Sequence, residues 1–546
     1  MIGETGRGAR TIHRLPALVL LIAAGAQIAA QPRGTSAIVF PTSGSPAAHA
    51  EFLVGVAALH NFEYEDANAA FIKAQQIDPG FAMAYWGEAM TYHQTLWGNE
   101  DVAAGRRILL RLAPDAGTRS AKAGSERERG FMSAVEALFG NGDVTARRAA
   151  HARVMAANYA QFPDDPEVAT FYALALLGTM ARGLAGAMDA QEGHSMALAG
   201  SATQTRVTSI LEKVLRSHPR HPGALHYLLH DNDDPAHAHL ALSAARIYAQ
   251  VAPASSHARH MPAHIFLQLG LWREAAASDQ AAYAASDAWV KAKGLPLAVR
   301  SYHALSWLQY ELLQLGRHRE ARDTLAQIEP VVKSSGQLGL VSELASMRAR
   351  YVVDTRQWDL LARERNFGNV NELFAIGISA ARTGNAPAAE LARQALAERS
   401  RAEQEGDMRP VIAIMERQIA ALIELGAGRR DRAVEILRAA AQAEQQLPAP
   451  LGLPKPIKPA PELLGEVLTE IGRPREALAP FQQALRRNAN RSLSVLGLAR
   501  AAQASGDMAT ARAQYGALLR NYAGADAGLP ALNEARAAVN GKSPVK

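Results

Sequence analysis

Nine of the 17 histidines in this 546-residue chain fall between positions 218 and 264, in HPRHPGALHYLLHDNDDPAHAHL and SSHARHMPAHIF. Neutral imidazole is the commonest side-chain ligand of transition metals, and two of them four residues apart on a helix are a usual way to present a pair. His226 and His230 have that spacing and stack about 40° apart on one helix face. His257, His260 and His264 fall within an arc of about 60° on a later helix. Asp233 and His237 lie close by, and His303 is placed to reach in from the next unit. These eight residues form a candidate metal site. For a single histidine, packing or hydrogen bonding is the commoner role; this cluster differs because ligand-type residues come from adjacent hairpins. The condition is geometric: three imidazole nitrogens must converge to within about 3–4 Å of one point, as ligation near 2.1 Å requires. Zinc or copper suits an imidazole-rich, thiol-free site, and with carboxylate help iron or manganese also fits.

The acidic residues beside the cluster read in two ways. Asp234-Pro235 has the form of an N-cap followed by proline at the first helical position, a structural role. Asp233 has no such obligation and is free to ligate a metal or to orient an imidazole from behind. His237 belongs to the first turn of that helix, and His239 to another face. Upstream, Trp86, Tyr92 and Trp97 flank His93 in AYWGEAMTYHQTLWG. A stacking wall for a ligand and aromatics packed between helices are both open there. Glu88 is the one carboxylate on that helix, and nothing singles it out as a base.

Whole reaction classes lack their motifs. There is no Walker A loop, no dinucleotide fingerprint after a strand, no GxSxG elbow and no CxxCH. HYLLH has the two-histidine spacing of a zincin but not its glutamate. The chain has no cysteine, so disulfides, thiolate-bound zinc and a thiol nucleophile are excluded. Phosphoryl transfer, hydride transfer and serine hydrolysis are unsupported. Whether any reaction is catalysed stays open.

Helices must position these groups. Alanine and leucine dominate, aromatics are only 6%, and runs of Val, Ile and Thr are scarce. With 48% hydrophobic and 20% charged residues the chain is soluble and folded. Its net charge of +6 is spread without a dense Lys/Arg block, so nothing marks a nucleic-acid surface. Arg7, Arg10 and Arg14 precede the apolar run LPALVLLIAA, which is followed by Ala24-Gly25-Ala26 and, later, Ala30. The run is shorter than the about 20 residues a membrane-spanning helix needs. Residues 1–30 therefore read as a secretory signal peptide, with an uncleaved anchor as the lesser alternative. The expected location is periplasmic or extracellular, with no stable membrane span after cleavage.

Repeats set the architecture. In EFLVGVAALHNFEYEDANAAFIKAQQIDP, the small residues Gly55, Ala67 and Ala74 let two antiparallel helices approach, Phe71 fills the gap and Pro79 stops the second helix. A glycine followed five residues later by alanine recurs at Gly270/Ala275, Gly316/Ala321, Gly384/Ala389, Gly428/Ala433, Gly472/Ala477 and Gly506/Ala511. The last two are 34 residues apart and several others 44 to 46, so the middle hairpins are longer than standard. The predicted fold is an all-α, tetratricopeptide-like α-solenoid of stacked antiparallel hairpins. A linker spans 31–47, N-terminal hairpins 48–103, an irregular helical region 104–220, and the histidine-rich hairpins 221–345. Further hairpins span 346–446, a Pro-rich connector 447–460, a C-terminal pair 461–537 and a tail 538–546.

The segments GEAMTYHQTLWG, LHYLLHDNDDPAHA, HARHMPAHIF and PIKPAPELLGEVLTEIGRPREALAPF resemble exported bacterial tetratricopeptide-repeat proteins over most of the chain. The resemblance implies fold and export and brings no activity. It also implies a groove, lined in such families by positions 2, 5, 9, 12 and 13 of each first helix. With frames starting at 48, 82, 256 and 302, seven of eight histidines take those positions: His49, His60, His93, His257, His260, His264 and His303. Trp86 takes one as well; only His318 misses. The expected function is a scaffold holding a protein, peptide or envelope ligand in its concave groove, with a histidine-rich metal site. The alternative is a metalloprotein or metal-dependent enzyme built on the His226–His264 cluster.

Overall fold

The computed structural model describes residues 38–180, 201–364, 366–403, 408–448 and 451–540. The N-terminal basic-apolar segment, and with it the expected signal peptide, lies outside them. Twenty-five α-helices fill the described residues, with one ladder of two-residue strands, His93–Gln94 and Asn99–Glu100. Consecutive helices pack in antiparallel pairs from Pro46–His60 against Tyr64–Ile77 to Met508–Asn521 against Pro530–Val539. The chain is an all-α solenoid of helix hairpins. No helix of the described residues is long and apolar enough to cross a membrane.

The turn glycines explain the regularity. Gly270, Gly316, Gly384, Gly428, Gly472 and Gly506 all have φ between 66° and 86°. In each case the next residue's N–H reaches back to the carbonyl five positions earlier, as Leu271 to Phe266 (2.8 Å) and Asp507 to Ala502 (2.9 Å). This is the left-handed glycine stop that satisfies otherwise orphaned helix-end carbonyls. In the first hairpin the same turn is made by Phe62, with φ 58° and a Glu63 N–H to Ala58 bond of 2.9 Å. The 46-residue spacing arises from the long second helix Trp272–Ala292, and the 44-residue spacings span the helices Ala386–Ala402 and Met408–Gly426, then Arg430–Gln445 with the Pro-rich segment.

Close helix approach depends on glycine twice over. A Cβ on Gly55 or Gly87 would lie 2.6 or 2.3 Å from the Phe71 ring; on Gly465 or Gly497, 2.7 or 2.2 Å from Phe481. One aromatic plug between two glycines is thus used at both ends of the molecule.

The superhelix is wound tightly enough that distant turns touch. The Trp272 indole N–H donates to the Asn490 carbonyl (2.9 Å), the Asn490 amide donates to the Gly270 carbonyl (2.9 Å), and the Asp526 N–H donates to that of Gly316 (3.0 Å). The Pro-rich segment turns inward: Leu453, Ile457 and Lys458 are buried, and Gly452 sits against the Trp307 ring.

One local expectation shifts. Asp234 accepts the N–H groups of Ala236 and His237 (2.8 and 3.1 Å), but it caps an isolated turn, and the helix starts only at Ala238. His237 is therefore the residue before that helix, not part of its first turn.

Candidate metal centres

Six of the eight candidates form two separate triads, Asp233 stands behind one of them, and His237 joins neither. His226 and His230, on helix Pro222–Asp231, meet His257, on helix Ser256–Gln268. The His226 Nε2 lies 3.0 Å from Nε2 of both His230 and His257. Its Nδ1 is 2.6 Å from the His60 backbone carbonyl. A carbonyl only accepts, so Nδ1 donates to it and Nε2 is the edge turned toward the two other imidazoles. Phe62 covers this triad, its ring centroid 4.4 Å from His226 and 5.7 Å from both His230 and His257.

The second triad uses the same central helix. The His260 Nε2 is 2.9 Å from His264 Nε2 and 3.0 Å from Nε2 of His303, on helix Tyr302–Gln314. All three rings are buried. Here carboxyls stand behind the rings: Asp279 Oδ1 lies 2.5 Å from His260 Nδ1, and Asp233 Oδ2 lies 2.7 Å from His264 Nδ1. Gln268 donates to the other Asp233 oxygen at 3.1 Å. The Trp307 ring walls the triad, 4.2 Å from His264 and 4.9 Å from His260.

Burial holds the His260 imidazole neutral, pushing its pKa down to about 3. That is the protonation state a ligand needs. Burial also pushes the carboxyls of Asp233 and Asp279 well above the usual range. A dication at the Nε2 edges would reverse that, because nearby positive charge favours the carboxylate. Within each triad the ligand nitrogens all lie within 4.8 Å of one another. A tetrahedral ion with bonds near 2.1 Å holds its nitrogens about 3.4 Å apart, so the pairs now at 2.9–3.0 Å need open by only about half an ångström.

Asp233 thus stands behind His264, on the Nδ1 side of its ring. His237 joins neither triad; its ring bonds Asp234 (2.8 Å) and is partly exposed. The three groove candidates need correction, because each is sealed in the core. His60 binds Glu167 (Nε2 to Oε2, 2.8 Å) and the Tyr227 hydroxyl (3.0 Å). Trp86 is packed among Phe40, Phe131 and Phe171. His93, in the short strand pair, lies 3.3 Å from Glu100. Glu88 is held by Arg111 and Gln75, with no histidine ligand beside it.

A third group, His60, Glu167 and His221, also has ligand-type atoms in reach of one another, but it is internally complete. His221 Nδ1 accepts the Ala224 N–H, so its Nε2–H donates to Glu167 Oε1 (3.0 Å). Burial raises the Glu167 carboxyl, and His221 and His60 more than offset that, drawing it well below the usual range. This network fixes the helix end whose carbonyl holds His226. Sequence spacing could not reveal Glu167, Asp279 or Phe62, which lie far from the histidines they serve.

Both triads open on one cleft of about 440 Å³. His257 of the first and His260 and His303 of the second line it, with Phe62, Trp97, Trp289 and Arg300 around them. Another hollow of about 510 Å³, bordered by Glu88, Arg107 and Arg111, brings no such ligands together.

No family model matches the chain, and no curated protein does. Solved structures with similar folds include human IFIT1 dimer with m7Gppp-AAAA, at 12% identity and TM-score 0.33, covering 90% of this chain and 94% of that one. The Cut9–Hcn1 hetero-tetramer of APC/C gives 12% identity and 0.30, covering 92% and 77%. A tetratricopeptide repeat protein from Parabacteroides merdae gives 12% and 0.29, covering 52% and 97%. Likenesses this remote are of architecture and say nothing of ligand or activity.

Proposed function

We propose that this chain is a metalloprotein that holds two metal ions, one in each histidine triad, at the base of a shared cleft. The observation that carries this reading is the double convergence of Nε2 atoms. In each triad one Nε2 edge faces those of two other imidazoles at 2.9–3.0 Å, an arrangement that a cation would stabilise. Three protein ligands are one fewer than a closed structural site has, so each ion would keep a position for water or substrate. The cleft beside His257, His260 and His303 would supply access. All-imidazole ligation with carboxylates behind it fits zinc or copper better than manganese, magnesium or calcium.

The repeat fold favours a second, compatible role as a scaffold for a protein or peptide partner. Export belongs to the same reading and rests on the basic-apolar N-terminus; cell fractionation tests it.

Elemental analysis of tag-free protein tests the metal reading. About two equivalents of zinc or copper per chain are expected, falling to one in His230→Ala/His257→Ala and to one in His264→Ala/His303→Ala. His93→Ala should leave both ions in place. Less than a tenth of an equivalent after incubation with either metal would refute the reading.

A further inference from the structure

We infer that Glu311 is a positioning residue of the second metal site: its carboxyl holds Asp279, and Asp279 in turn holds His260. The inference rests on the metal-binding reading above and adds a residue to it. His303, Trp307 and Glu311 follow one another at intervals of four on helix Tyr302–Gln314, so each lies about 40° around from the one before. The first two are already at the site. His303 Nε2 is 3.0 Å from His260 Nε2, and the Trp307 ring is 4.9 Å from that of His260. Glu311 continues the row one turn further on, where the packed helix Trp272–Ala292 brings Asp279 to it. Both side chains are fully buried.

Asp279 gives one oxygen to His260 Nδ1 (2.5 Å). Its other oxygen and both oxygens of Glu311 meet no N–H or hydroxyl donor among the described residues, and the two carboxyls hydrogen-bond each other. Two ionised carboxylates have no donor between them, so the bond requires one acid proton. Burial, and after it the neighbouring Asp279 charge, pushes the Glu311 carboxyl well above the usual range, which puts that proton on Glu311. Asp279 thus accepts on both sides, from the Glu311 O–H and from His260 Nδ1–H, and the Nε2 edge of His260 is left for the ion. The other carboxyl of this triad is built the same way. Asp233, behind His264, has its second oxygen held by the Gln268 amide at 3.1 Å. Each carboxyl is therefore fixed by one further side-chain donor, an amide in one case and an acid in the other.

Zinc competition against a chromophoric chelator tests this with the full chain. Glu311→Gln supplies an amide N–H in place of the acid and should bind both ions as tightly as the parent. Glu311→Leu fills similar space without a donor and should bind one ion about 10–100-fold more weakly, leaving the other unchanged. Added to His230→Ala/His257→Ala, Glu311→Leu should weaken the single remaining ion by the same factor; added to His264→Ala/His303→Ala, it should change nothing. Parental affinity for both ions in Glu311→Leu would overturn the role of Glu311 and leave the metal sites standing. So would equal weakening in the Leu and Gln variants, or weakening of both ions together. A parent that takes up neither zinc nor copper would overturn the metal reading itself. Should Glu311→Leu not fold, Glu311→Met makes the same comparison, and the single variants decide the matter even where a combined one does not fold.

Discussion

Two regions of this solenoid bury polar side chains, and they satisfy them in different ways. In the C-terminal half, Arg491 is sealed among Asp354, Glu462 and Tyr310, and Lys458 bridges Glu462 (2.8 Å) and Glu466 (2.6 Å). Every cation there meets anions of the same chain, and burial of the Glu462 carboxyl is outweighed by Arg491 and Lys458, which hold it down. In the histidine-rich half, imidazole edges converge on one another. A closed charge network glues a fold together. A convergence of imidazole edges is what the proposed metal sites would use.

The contrast makes its largest prediction in the closed network. Arg491→Leu should leave Asp354 and Glu462 buried without their main partner and cost about 3–5 kcal/mol, read by urea unfolding. Metal content of the fraction that folds should not change. If the variant is as stable as the parent, the network is not what holds this part of the fold together.

Next in size is the response to metal. Zinc at about 100 times its dissociation constant should stabilise the chain by about 2.7 kcal/mol per site, reversibly with a chelator. A His226→Ala/His264→Ala variant should lose that gain. Equal stabilisation of parent and variant would mean that zinc acts elsewhere.

Asp233→Asn sharpens the comparison within the open half. It keeps the shape behind His264 and removes the carboxylate, so one of the two ions should bind about 10–100-fold more weakly while the other is unaffected. Uniform weakening of both would argue against separate triads.

Acid should act against the buried histidines of the metal-free fold. Burial lowers the pKa of His93, and it takes His151 down to about 3. Between pH about 6.5 and 3 these two rings therefore bind more protons in the unfolded chain than in the folded one, and their contribution to stability falls as pH falls. The carboxyls of Asp231 and Glu444, both raised by burial to about 7, contribute in the opposite sense. His151→Gln should therefore lose less stability than the parent between pH 7.5 and 5, read as the difference between their melting temperatures at the two pH values.

The fold was legible because its signals are local and repeated. Gly270 through Gly506 are spaced turn signals, and each is the left-handed stop that its position requires. The triad members were legible in part for the same reason, since His226/His230 and His260/His264 are neighbours on single helices. Their division into two sets was not, because it depends on how far the following hairpin brings His303 toward His260. The groove assignments of His60, Trp86 and His93 failed because the superhelix winds tightly and fills its N-terminal interior with aromatic side chains. Asp279 reaches His260 across 19 residues, and Glu167 reaches His60 across 107, distances at which sequence spacing carries no information.

Phe62 gives the smallest expected effect on stability and a selective effect on the site. It occupies the turn position that glycine holds in the six other hairpins with the same stop, at φ 58° where a bulky residue is strained. Replacing it with glycine would relieve about 1–2 kcal/mol of left-handed strain and forfeit about 1.5–3 kcal/mol of ring burial. The melting temperature of Phe62→Gly should therefore move little. The ring's stacking on His226, His230 and His257 would be lost, opening the first triad to the cleft. A chelator should then strip one of the two ions faster than in the parent and the other at the parental rate. Unchanged release of both ions would make the strained phenylalanine a packing residue of the core alone.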